Sequence, residues 1–122
     1  MADIVDEGTY DPSSFGAELE VAPRNLRVGT SLWFENDRLR VWEVRLEPGA
    51  RGPFHAHTRP YFWTCVEPGL GRQRTPDGTV RVRRYTLGET QYSEHSDAAP
   101  MIHDLENAGE TPLRFVTVEL LR

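Results

Sequence analysis

Apolar and polar residues alternate with a period of two along much of this chain, and no long stretch carries the 3.6-residue period of an amphipathic helix. From Leu39 to Leu46, the residues Trp42, Val44 and Leu46 share one face while Val41, Glu43 and Arg45 share the other. That predicts a half-buried strand, closed by Glu47-Pro48-Gly49. Leu113 to Leu121 repeats the pattern, with Leu113, Phe115 and Thr117 set against Arg114, Val116 and Val118, and predicts a closing core strand. Tyr61 to Val66 is apolar on both faces, as expected of a strand buried between two sheets, and Pro68-Gly69 stops it. Pro76-Asp77-Gly78 lies between the runs Arg72 to Thr75 and Thr79 to Tyr85, a hairpin signal. Further short strands are predicted over Leu26 to Phe34, Phe54 to His57, Thr90 to Glu94 and around His103. Turn signals every ten or twenty residues point to an all-β jelly roll.

At 122 residues the chain is long enough for one domain with its own core. Residues 1–24, with Asp11-Pro12-Ser13-Ser14 and Ala22-Pro23, lack periodicity and read as an N-terminal arm, leaving 25–122 as the β domain. Arg72, Arg74, Arg81 and Arg83 would stripe one face of the hairpin, a solvated outer face offset by nearby acids.

A net charge of −5 and a pI near 5.3 give no footprint for nucleic acid, and no apolar run reaches membrane-spanning length. The acidic start lacks a secretory pattern and the single cysteine excludes an intrachain disulfide, so a cytoplasmic protein with a small-molecule partner is expected. All fourteen basic residues are arginine. Without lysine, Schiff-base chemistry, covalent pyridoxal phosphate and a P-loop are excluded.

The candidate chemistry sits at His55 and His57. On a strand, positions i and i+2 face the same side about 6.6 Å apart, close enough for two imidazoles to share one ion. His103, in Pro100-Met101-Ile102-His103-Asp104-Leu105-Glu106-Asn107, is the third candidate ligand. Imidazole suits iron, zinc, copper or nickel, so the residues leave the divalent metal open. No other cofactor is expected. Parity leaves two registers for the strand after His57: Tyr61 with Trp63 and Cys65 inward, or Phe62 with Thr64 and Val66. The first is preferred, because the Tyr61 phenol can orient a substrate or donate a proton. His95 is a candidate proton shuttle or fourth ligand, Cys65 a small core residue, and Asp104 and Glu106 surface residues by strand parity.

Gly49, His55, His57 and Gly69 together resemble the first motif of the cupin superfamily, G-x5-H-x-H-x3,4-E-x6-G, and Gly88, His103 and Asn107 resemble the second, G-x5-P-x-G-x2-H-x3-N. Tyr61 or Phe62 stands where the first motif has its glutamate. Fourteen residues instead of ten separate Gly88 from His103, and Pro100 replaces the second glycine, which predicts a longer loop beside the site. The resemblance spans roughly residues 39 to 121 and implies a single-domain jelly-roll β-barrel, the double-stranded β-helix, holding one metal through His55, His57 and His103. In small cupins such an arm often lies across a neighbouring subunit, which implies a homodimer; a loosely held tail is the alternative.

A site of three histidines without the glutamate is similar to that of the iron-dependent thiol and diketone dioxygenases. Asn36-Asp37-Arg38, His55-Ala56-His57 with Tyr61 and Trp63, and Ile102-His103-Asp104-Leu105-Glu106-Asn107 resemble the small cupins assigned to β-alanine degradation. The resemblance favours Fe2+, with Zn2+, Ni2+, Mn2+ or Cu2+ as alternatives, and a dioxygenase. A redox-neutral lyase or isomerase and a non-enzymatic binding module are the rival readings. Three neutral ligands leave the ion's double charge uncompensated, which favours a small anionic substrate; Arg51 and Arg59 bracket the histidine pair, either to steer that anion or as merely exposed loop residues.

Overall fold

Ten strands pair into two antiparallel sheets in the computed structural model, which describes residues 2–122. They are β1 (Asp3–Thr9), β2 (Ser31–Glu35), β3 (Leu39–Leu46), β4 (Arg51–His57), β5 (Tyr61–Glu67), β6 (Gly69–Arg74), β7 (Thr79–Tyr85), β8 (Thr90–Ser93), β9 (Met101–Asn107) and β10 (Leu113–Leu120). One sheet runs β1-β7-β6-β9-β4 and the other β2-β3-β10-β5-β8. The jelly-roll topology of a double-stranded β-helix is present. The expected barrel is not closed: no ladder among the described residues joins the edge strands of the two sheets, and the core lies between them as in a sandwich.

The alternations that predict β3 and β10 put their inner faces into this core. β10 pairs with both β3 and β5, and its Leu113, Phe115, Thr117 and Glu119 are all buried. Cys65, Tyr85, Leu113 and Phe115 pack with Ala2, and Val44, Trp63 and Leu105 lie against them. Burying one such large apolar side chain contributes about 1.5–3 kcal/mol. Cys65 is a core residue, its thiol pushed up to about 11 by burial. The β6–β7 hairpin turns where the sequence predicts it. Asp77 accepts hydrogen bonds from Thr75 Oγ1 and Thr79 N, and Gly78 takes a φ of 91° that a side chain would oppose.

Residues 2–24 are packed onto their own chain. β1 adds to the first sheet against β7, and a short helix, α1 (Gly16–Val21), lies over the outer face of β4. Glu18 of α1 accepts from Phe54 N at 2.7 Å, and Asn25 O accepts from Ala56 N at 2.8 Å. These bonds satisfy amides on the free edge of β4, the strand that carries His55 and His57. The turn before β4 uses Gly49 at φ 82°, and Asn107, the end of the second motif, holds that corner. Its side-chain amide donates to Leu46 O and Thr111 O and its Oδ1 accepts from Gly109 N, at 2.8–2.9 Å.

Asp104 is not a surface residue. It does point away from the histidines, but Arg51 and Arg74 close over it, themselves covered by Phe15 and Glu18, and the carboxylate is fully buried. It accepts from Arg51 Nε at 2.8 Å, Arg74 N at 2.7 Å and Arg74 Nη1 at 2.9 Å. Glu106 is half-buried beside it, bonded to Arg72 and Arg74. The arginine stripe is thus divided: Arg72 and Arg74 belong to this network, and Arg81 pairs with Glu7 of β1. No helix among the described residues is long and apolar enough to cross a membrane.

Candidate metal centre

β4 and β9 are adjacent, and their register sets His55 opposite His103. His57, two residues on, presents its ring to the same side. His55 Nε2 lies 3.0 Å from His57 Nε2, which lies 3.0 Å from His103 Nε2, and one ligand atom of each residue falls within 4.8 Å of the others. Two nitrogens each 2.0–2.1 Å from one ion, at roughly right angles, would be about 3 Å apart. The three predicted ligands are therefore brought together in a geometry that suits a shared ion.

Their electrostatics fit as well. All three rings are buried. Burial holds each below the ordinary histidine range, and neighbouring imidazoles push His57 and His103 down further. At neutral pH they are uncharged and able to ligate. His55 Nδ1 lies 2.9 Å from Pro53 O. A carbonyl only accepts, so Nδ1 carries the proton and Nε2 keeps its lone pair for the cluster.

Tyr61 lines the same cavity, stacked on His57 with ring centroids 4.1 Å apart and planes at 12°. Trp63 follows on the same face, the register with Tyr61 inward. Burial raises the Tyr61 phenol above its usual range, so it is a neutral donor. His95 stands apart from the ligand cluster. Its ring is 6.3 Å from that of His57 and 5.8 Å from that of Tyr61, and it lies in the loop between β8 and β9. Buried His57 Nδ1 and His95 Nε2 both lack a hydrogen-bond partner among the described residues.

Neither arginine considered for steering an anion lines the cluster with its side chain. Arg51 gives its guanidinium to Glu18 and Asp104 in bonds of 2.6–3.1 Å on the opposite side of the sheet. Arg59 lines a separate groove with Pro60, Tyr92, His95 and the chain end. Two further polar residues reach the cavity, one of them unmarked by the pattern. Gln73 of β6 and Thr117 of β10 also line the cavity, one from each sheet. Thr117 was legible as an inner-face position, whereas the β6 run Gly69–Arg74 gives no apolar alternation to mark Gln73 as inward.

The cavity measures about 310 Å³, and part of its lining comes from residues 25–30, which bridge β4 and β3 through Asn25 O and Thr30 N. The histidines occupy part of its wall. Val44, Leu46, Trp63, Tyr85, Leu105 and Phe115 supply most of the rest. Trp63, Tyr85 and Phe115 meet edge to face, with centroids 4.9–5.4 Å apart and planes at 78–84°, which makes a stiff wall.

The sequence matches no protein-family model and no curated protein. Solved structures do match. A cupin domain from Bordetella pertussis Tohama I is 26% identical, over 74% of this chain and 88% of that one, with a TM-score of 0.65. A Klebsiella pneumoniae protein with a double-stranded β-helix domain is 20% identical, over 81% and 85%, with a TM-score of 0.58. The Bacillus subtilis oxalate decarboxylase, a protein with Mn(II) centres, is 27% identical over 68% of this chain and 22% of its own length, with a TM-score of 0.52. The chain has the cupin fold, with a three-histidine cluster suited to a divalent metal.

Proposed function

We propose that this cupin is a metal-dependent enzyme acting on a small anionic metabolite, an iron-type dioxygenase in preference to a lyase or isomerase. The observation that carries the reading is the convergence of His55, His57 and His103 Nε2 on the wall of one largely apolar cavity. Held there, a divalent ion supplies Lewis acidity, and iron adds access to oxygen chemistry. The sequence likeness to three-histidine cupins supports iron, and the manganese centres of the Bacillus relative show that the fold accommodates other ions.

The protein's own residues have definable parts. His55, His57 and His103 hold the ion as neutral donors, so a bound anion meets a full double charge. Tyr61 fixes the plane of His57 by stacking and presents a neutral hydroxyl for orienting a substrate or returning a proton. The largely apolar walls lower the local dielectric and strengthen each polar contact inside.

The test is oxygen uptake by iron-loaded protein with thiols and diketones. Stoichiometric uptake, lost in His103→Ala, supports the dioxygenase. Conversion without oxygen would move the assignment to lyase or isomerase chemistry, and binding without conversion to a ligand-binding module.

A further inference from the structure

The two sheets differ on their outer sides. On the first, Phe15 and Glu18 lie over Arg51 and Arg74. An antiparallel sheet whose other face meets solvent normally carries polar residues there. The second sheet does not. Its ladders set Phe34 opposite Val41, Val41 opposite Val118, Val118 opposite Phe62 and Phe62 opposite Tyr92, one unbroken apolar row across all five strands. Parity fixes its direction: Tyr61 and Trp63 face the cavity and Thr117 and Glu119 are buried, so Phe62 and Val118 point outward. Leu39 and Leu120 flank the row on one side and Val116 on the other. Phe34 and Tyr92, at its two ends, are 54% and 53% exposed. Trp33 stands on the same face, half exposed, its ring 5.6 Å from the Arg114 guanidinium.

We infer that this face binds the same face of a second copy, in a two-fold dimer with the second sheets packed against each other. The polar groups on it are already satisfied within the chain. Arg114 Nε donates to Glu43 at 2.6 Å, Thr64 Oγ1 and Thr90 Oγ1 share a hydrogen bond of 2.8 Å, and Tyr92 Oη donates to Glu94 at 3.1 Å. Covering the face therefore leaves these groups paired. The one ion pair cancels, so the patch selects neither an anionic nor a cationic partner. A two-fold axis through Val118, the middle of the row, lays one row on the other, and the same neutral patch serves both partners. Sheets packed face to face in this way lie about 10 Å apart with their apolar side chains interdigitated. Five strands about 4.8 Å apart and up to eight residues long make a face of roughly 650 Å². That approaches the roughly 800 Å² each partner buries in a stable complex. The contact involves neither the histidine cluster nor residues 2–24, so it stands apart from the metal reading.

Sedimentation equilibrium of the full chain at micromolar concentration is the test. The parent is expected at twice the 13.9 kDa chain mass. Val118→Lys puts an ammonium from each copy at the centre of the contact, and should weaken association at least about a hundredfold while the circular dichroism spectrum stays that of the parent. Should that variant fail to fold, Phe34→Glu, at the exposed end of the row, carries the same expectation. Val21→Lys, at an exposed apolar position on α1 away from this face, should leave the dimer intact. A parent at single-chain mass overturns the assignment; flotation of that monomer with phosphatidylcholine vesicles would make the face a membrane-surface site. A dimer that survives both Val118→Lys and Phe34→Glu, or that only Val21→Lys dissociates, overturns it as well.

Discussion

Arg51 donates Nε–H to Asp104 Oδ2 at 2.8 Å across the same two strands whose opposite face sets His55 against His103. The ion pair and the candidate metal centre are thus two sides of one β4–β9 ladder. Asp104→Ala leaves two partly buried guanidiniums, Arg51 and Arg74, without their shared carboxylate. The expected loss is about 3 kcal/mol, at the low end for a buried pair because both arginines keep some solvent. Thermal unfolding should shift down by about 10 °C. An unchanged melting temperature would show that the network is not a clamp.

Asn107 makes three hydrogen bonds from a fully buried position. Asn107→Ala strands Leu46 O, Thr111 O and Gly109 N, for an expected cost of about 2–4 kcal/mol. Denaturant titration measures it. Leu46 and Thr111 flank the segment leading into β4 and the turn before β10, so the loss should appear in stability ahead of any change in bound metal.

His95 lies outside the ligand cluster. His95→Ala should keep near-stoichiometric metal, with affinity changed by no more than about tenfold, the lower range for a residue beyond the first ligands. Competition with a chromophoric chelator reads this directly. Complete metal loss would make His95 a ligand.

The pH dependence of the metal-stripped protein follows from the three depressed histidines. Their folded values lie below the unfolded value of about 6.5, so under mild acid the unfolded chain binds protons that the folded chain does not. Stability is full above that value and falls as the pH drops through and below it, by up to about 1.4 kcal/mol per pH unit for each histidine kept neutral. Chemical denaturation at pH 7.5, 6.5 and 5.5 should show the decline. His57→Phe should flatten it.

The strands were legible because their signals are local. Trp42-Val44-Leu46 and Leu113-Phe115-Thr117 announce inner faces by parity, and Pro76-Asp77-Gly78 announces its own turn. His55 and His57 were legible for the same reason, since they share a face on any strand, whereas His103 was joined to them by the spacing of the second motif. What parity does not tell is what covers a face. Asp104 was assigned to the surface because it points away from His103, which it does, but α1 is laid over that side by Glu18 and by Phe15 against Phe54. That same cover takes Arg51 out of the site, a contact between residues 33 positions apart that no local pattern contains. Gln73 escaped because β6 carries glycines and arginines where an alternating strand would carry apolar markers. Closure of the sheets into a barrel likewise depends on edges meeting, a property of the whole topology.

Everything proposed for the cavity depends on His55, His57 and His103 holding one metal ion. Elemental analysis of protein purified without added metal or an affinity tag, beside His103→Ala prepared identically, tests it most directly. Near one divalent ion per chain is expected in the parent, iron foremost, and little in the variant. No metal in the parent, and none taken up on reconstitution, would contradict it.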